Sequence, residues 1–139
     1  MKTEHSAQAE AQIRAVETME ELVGRGNWSA AADYFTPDMF YKVGAREPVY
    51  GVEGVRAYMN WQNALVKWQG HTIRLRRCYD DVVVIEADSH FMRQSDREAI
   101  TIPCTDIYRM DGLRIREWRV YADISSFSNP KIQQSFGSH

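Results

Sequence analysis

A carboxylate on an otherwise apolar strand face is the feature of this sequence with the most chemistry in it. Along Ile100-Thr101-Ile102-Pro103-Cys104-Thr105-Asp106-Ile107-Tyr108, alternation puts Asp106 on the side of Ile100, Ile102, Cys104 and Tyr108. An ionised carboxylate there is costly unless it is paired or protonated. Asp106 therefore either makes a structural hydrogen bond, for example to a helix end, or faces a polar pocket. Pro103 in the same segment marks a bulge or an edge that could shift the parity. Glu86, Asp88 and His90 also share one strand face, a set capable of holding a metal. Same-face residues on a strand lie about 6.5–7 Å apart, and no second histidine has ligand spacing to His90; His5, His71 and His139 all lack it. No metal is expected. His90 is instead either a pocket acid, base or hydrogen-bond donor, or part of an exposed sheet face. Glu117, Arg119, Tyr121 and Asp123 alternate against Trp118, Val120, Ala122 and Ile124, giving a polar face open to solvent, a subunit or a site. Phosphate loops, dinucleotide fingerprints and nucleophile elbows are missing, and Ser125-Ser126 have no evident base.

The elements that must position these groups change character at Gly70. Before it the pattern is helical. Ile13, Val16, Met19 and Val23 make one apolar stripe over about residues 6–23. Gly24 and Gly26 stop that helix, and Asn27 or Ser29 caps a short second one closed by Thr36-Pro37-Asp38. Met39 to Val43 reads as a strand. Gly51 then opens a third helix whose stripe is Val55, Tyr58, Trp61, Leu65 and Trp68. After Gly70 the period is two, with strands over 71–79, 81–92, 97–110 and 113–124. Asp80-Asp81, Gln94-Ser95-Asp96 and Asp111-Gly112 are the turns between them, so these neighbours run antiparallel. The fold class is α+β: three helices on one face of a strongly curved, mostly antiparallel sheet. Residues 1–139 form a single domain, with 130–139 a loose tail.

The order helix, helix, strand, helix, four strands resembles the SnoaL-like branch of the nuclear transport factor 2-like superfamily. Local pieces carry the likeness: Gly26-Asn27-Trp28 to Asp38, Tyr50-Gly51 with Gly54-Val55-Arg56, and above all Asp106-Ile107-Tyr108-Arg109-Met110-Asp111-Gly112 followed by Trp118-Arg119-Val120-Tyr121-Ala122-Asp123. The last hairpin is similar to that of polyketide cyclases and limonene epoxide hydrolase. The resemblance implies a cone-shaped pocket of the ketosteroid isomerase type, in which Asp123 is the acid or base and Tyr41 a donor to a developing oxyanion. A desolvated Asp123 would have a pKa raised toward neutral. Two places break the hydrolase pattern. Val43 stands where its water-holding asparagine would be, and Ala87 and Ser89 where its arginine and aspartate would be, although a one-residue slip would bring in Asp88.

These readings lead to a cofactor-independent isomerase, cyclase or dehydratase acting on a small apolar organic molecule. Asp123, Tyr41, Asp106 and His90 are its catalytic candidates, and Tyr58, Trp61, Leu65, Asp88, Tyr108, Trp118 and Tyr121 the expected substrate contacts. A non-catalytic ligand-binding or dimerisation module is the alternative. Epoxide hydrolysis comes third and requires Asp88 and an arginine such as Arg119 to converge on Asp123. The resemblance also implies a homodimer. Composition sets the outer limits. The chain is 44% hydrophobic and 26% charged, with 17 basic against 19 acidic residues, so it is globular and has no basic field for nucleic acid. No apolar signal core opens it, and the longest aliphatic run, Val82-Val83-Val84-Ile85, cannot span a bilayer. Cys78 and Cys104 read as buried free thiols, and the expected compartment is the cytoplasm.

Overall fold

The computed structural model describes residues 6–128, which leaves the expected loose tail outside the described residues. The Ser6 hydroxyl accepts from the Ala9 N–H at 3.1 Å and starts α1 (Ala7–Gly24), which buries Ile13, Val16 and Met19. Gly26 turns the chain with φ +74°. Asn27 then caps α2 (Trp28–Ala31), and a 3₁₀ turn, Ala32–Tyr34, leads into β1 (Phe35–Val43). β2 (Val49–Tyr50), α3 (Gly51–Leu65), β3 (Val66–Tyr79), β4 (Val82–Arg93), β5 (Ala99–Asp111) and β6 (Arg114–Tyr121) follow, and a second 3₁₀ turn covers Ser125–Phe127.

The six strands form one mixed sheet in the order β2-β1-β6-β5-β4-β3. β3 to β6 make the antiparallel meander that the turn signals predict. β1 lies parallel to β6, and β2 pairs antiparallel with β1. Asp80 and Asp81 both take left-handed backbone, with φ 57° and 64°, as a two-residue hairpin requires. β3 breaks register between Trp68 and His71 and again between Ile73 and Leu75, with Gly70 at φ +106° in the first break. Such bulges bend a strand, and here they curl the sheet edge around the helices.

Three boundaries differ from the sequence reading. α3 stops at Leu65, so Trp68 lies on β3, where Val66, Lys67 and Trp68 pair with Arg93, Met92 and Phe91. The long β4 offers a ladder that outweighs the helical spacing of Trp68. β1 begins at Phe35, not Met39, and Pro37 falls in a register break where its missing N–H does no harm. β6 ends at Tyr121, before Asp123. Pro103 does not shift parity, because β5 pairs with β4 without interruption and has already run past the end of β6.

The concave face packs Met39, Tyr41, Val83, Ile85, Tyr108 and Trp118 against α1 and α3, and Val66, Phe91, Ile100, Ile102 and Phe127 close one end. Gln12 is the buried polar link. Its Nε2 donates to Asp81 Oδ1 and to the Gly112 carbonyl, both at 2.9 Å, and its Oε1 accepts from Cys78 at 3.2 Å. α1 is thereby tied to two hairpin turns. At the other end, Arg93 donates to Asp96 and to the Ser126 carbonyl, which anchors the last turn.

Candidate active site

Inward-facing residues of β5 and β6 bring a carboxylate to a cavity of about 410 Å³. Asp106 lies in its wall. Cys104 donates to Asp106 Oδ1 at 2.9 Å, while Trp118 Nε1 and the Tyr108 hydroxyl donate to Oδ2 at 3.0 and 3.1 Å. From the opposite side, Glu20 of α1 also lines the cavity and makes a short hydrogen bond with the Tyr108 hydroxyl. A phenol carries one proton and here touches two carboxylates, so the Glu20–Tyr108–Asp106 chain is one proton short if both acids are ionised.

Electrostatics point to where the extra proton sits. Burial holds the pKa of Asp106 above its ordinary value, although Cys104, Trp118, Tyr108 and His71 each favour its charged form. Glu20 has less support. Burial first, then Asp106, pushes it up to about 8. At neutral pH Glu20 therefore holds a proton. Burial also drives Tyr41, Tyr108 and the Cys104 thiol well above their ordinary ranges, so all three are neutral donors.

Tyr41 lines the cavity, its ring 4.5 Å from that of Trp118 and 5.5 Å from that of Tyr58. Asp106, Tyr41 and Trp118 are thus brought together, with Tyr108 directly behind them. α3 contributes Met59, Gln62 and Asn63 to the wall, not the expected Tyr58, Trp61 and Leu65. Tyr58 is buried with its hydroxyl unpartnered among the described residues, Trp61 lies under the Arg46 guanidinium at 3.9 Å, and Leu65 packs against the Phe127 cluster.

The remaining candidates stand elsewhere. Asp123 is exposed and accepts from the Ser125 N–H at 3.0 Å; that bond holds it below the usual carboxylate range, which corrects the expectation of a desolvated base. Strand alternation could not carry it inward because the strand had already ended. Asp88 and His90 point to the outer face. Asp88 pairs with Arg74 at 2.5 Å, and His90 sits between the hydroxyls of Thr72 and Thr101 at 2.9 and 3.0 Å. Tyr121 is 54% exposed. Arg119 pairs with Glu117, so the convergence of Asp88 and Arg119 on Asp123 that epoxide hydrolysis requires does not occur. Among the described residues, no three His, Cys, Asp or Glu side chains gather to hold a metal.

Glu20 and His71 also line the cavity and escaped the sequence reading. Glu20 follows Val16 by four residues and precedes Val23 by three, so the apolar stripe itself flagged it. His71 reaches the cavity beside Trp68, with ring centroids 5.4 Å apart, only because β3 breaks register between them. Gly70, inside the break at φ +106°, is the one sequence signal that could have found it.

Three helices on a cone-like mixed sheet define the nuclear transport factor 2-like fold. Residues 16–118 match the SnoaL-like domain family, and the chain belongs to it. No curated protein matches the chain significantly. Among solved structures, it is similar to a candidate polyketide cyclase from Xanthomonas campestris pv. campestris at 14% identity and TM-score 0.75, covering 87% of this chain and 96% of that one. A candidate SnoaL-like polyketide cyclase from Jannaschia sp. CCS1 matches at 14% identity and TM-score 0.71 over 99% of both chains. A Catenulispora acidiphila protein of ketosteroid isomerase-like fold, solved with trimethylamine, matches at 21% identity and TM-score 0.64, over 73% of this chain and 78% of that one. None of the described helices is long and apolar enough to cross a membrane.

Proposed function

We propose that this chain is a cofactor-independent proton-transfer enzyme for a small, largely apolar carbonyl compound, with Asp106 as its base. The observation that carries this reading is the pair of carboxylates bridged by the Tyr108 hydroxyl in the cavity wall. Asp106 would take a proton from the carbon next to a carbonyl, and the C–H electron pair would move onto the carbonyl oxygen. Tyr41, a neutral donor in the same wall, would stabilise that oxygen. Return of the proton to another carbon is an isomerisation. Attack of the enolate on a second carbonyl is a cyclisation. Loss of a β-hydroxyl as water, with a proton from Glu20, is a dehydration. All three use one base and no cofactor. The candidate cyclases of similar fold are compatible with this class.

A second reading, a non-catalytic ligand-binding module, is favoured by the donors that already satisfy Asp106 without any ligand. The conversion of cyclohex-3-enone to its conjugated isomer, followed by ultraviolet absorbance, separates the two. The enzyme reading expects turnover that falls roughly 10²–10⁴-fold in Asp106→Asn. Binding of the ketone without turnover by the native chain would leave the binding module. We also propose a homodimer through the outer sheet face that carries Glu117, Arg119 and Tyr121. Light scattering that gives the mass of one chain at high concentration would remove it.

A further inference from the structure

The histidine that strand alternation favours is not the one the cavity receives. Both ring nitrogens of His90 are taken by Thr72 and Thr101. His71 has no hydrogen-bond partner on either nitrogen among the described residues, and it lines the same cavity as Asp106. Strict alternation would set Trp68 and His71 on opposite faces. The register break at Gly70 turns both inward, a local rearrangement that bulges are known to make beside sites. His71 also borders a second cavity of about 530 Å³ between α1 and β3, and shares Glu20, Gly24 and Trp68 with the first as the common wall. It thus stands at the neck between an outer vestibule and the buried acid.

We infer that His71 is a further catalytic residue, which holds the substrate's carbonyl oxygen through a neutral imidazole N–H while Asp106 removes the neighbouring proton. The inference rests on the proton-transfer reading above. In the step, the C–H bond breaks, an O–H bond forms on Asp106, and the electron pair goes to the oxygen held by His71 and Tyr41. His71 keeps its own proton throughout, and Asp106 delivers the transferred one to the new carbon. The imidazole must be neutral for this. Burial lowers the pKa of His71; Asp106 from β5 and Glu17 from α1 oppose that, while Arg76 on its own strand and His90, on the outer face of β4, add to it, and Glu20 from α1 shares its cavity. A charged imidazolium would pair with Asp106 and quench the base, so turnover should fall on the acid side, below the ordinary histidine value.

The test uses the whole chain and two readouts. Addition of cyclohex-2-enone should shift the His71 imidazole nitrogen resonance in ¹⁵N NMR and leave that of His90 in place. With cyclohex-3-enone as substrate, His71→Ala should lower kcat roughly ten- to hundredfold with little change in KM, whereas His71→Gln, which retains an N–H donor, should recover most of the loss and lack the acid limb of the pH profile. A His71 resonance unmoved by the enone overturns the inference whatever the activity. So does an unchanged kcat in His71→Ala when Asp106→Asn is inactive, an outcome that leaves the proton-transfer reading standing. A native chain that binds the enone without turnover but with a shifted His71 signal would sink the enzyme reading and keep the contact.

Discussion

Glu20 is the residue whose protonation links the site to the stability of the protein. Its ordinary pKa is near 4.5 and its folded one is about 8, so the folded state binds a proton more tightly than the unfolded state does. Stability from this group is full below the unfolded value and drains away as pH rises through the folded one. Asp96 and Glu117 act in the opposite sense. Hydrogen bonds from Arg93 hold Asp96 low; burial raises Glu117, but Arg119 and Arg109 bring it below its ordinary value. Their contribution is lost as pH falls through the acid range. The midpoint of thermal unfolding should therefore peak in mildly acidic buffer and decline by several degrees from about pH 5 to about pH 8.5. Glu20→Gln should flatten the alkaline decline and leave the acid limb alone. An equally steep decline in that variant would mean that another group holds the extra proton. At the same scale, Tyr108→Phe removes the bridging hydroxyl, and should change the pH dependence of turnover along with its rate.

At the scale of elements, Gln12 joins α1 to the β3–β4 and β5–β6 turns. Gln12→Ala leaves the Asp81 carboxylate and the Gly112 carbonyl short of a donor and opens a void, and should cost roughly 2–4 kcal/mol in urea unfolding. Asp80 holds left-handed backbone that glycine adopts freely, so Asp80→Gly should be neutral or stabilising by up to about 1 kcal/mol. The elements were largely legible because periodicity reports which side of a segment is buried. The stripe of α1, the paired aspartates of the first hairpin and the inward face of Asp106 all follow from it. What sequence hid were the ends and irregularities. Trp68 fits a helical stripe and Asp123 a strand alternation, yet each lies past the end of the element that would have aimed it. His71 is aimed by a register break, whose only mark in the sequence is Gly70, a residue that reads equally well as the turn before a strand. Glu20 was readable, and only the habit of treating a helix glutamate as solvated passed over it.

At the scale of the whole molecule, the helices of the first half are held by strands of the second, and the site is divided in the same way. Glu20 comes from α1 and Tyr41 from β1, while Asp106, Tyr108 and Trp118 come from β5 and β6. No half of the chain contains the proton chain. The parallel pairing of β1 with β6 has a further consequence, in the order of synthesis. β1 leaves the ribosome with only the two-residue β2 to pair with, and its other edge has no strand partner until residues 114–121 emerge. Non-local pairing of this kind is slow and exposes a sticky edge meanwhile. Nascent chains arrested before Arg114 emerges should be cut by protease within β1, and chains released beyond Tyr121 should be protected there. Between those two lengths, the edge of β1 that β6 will cover is open to any other strand that meets it.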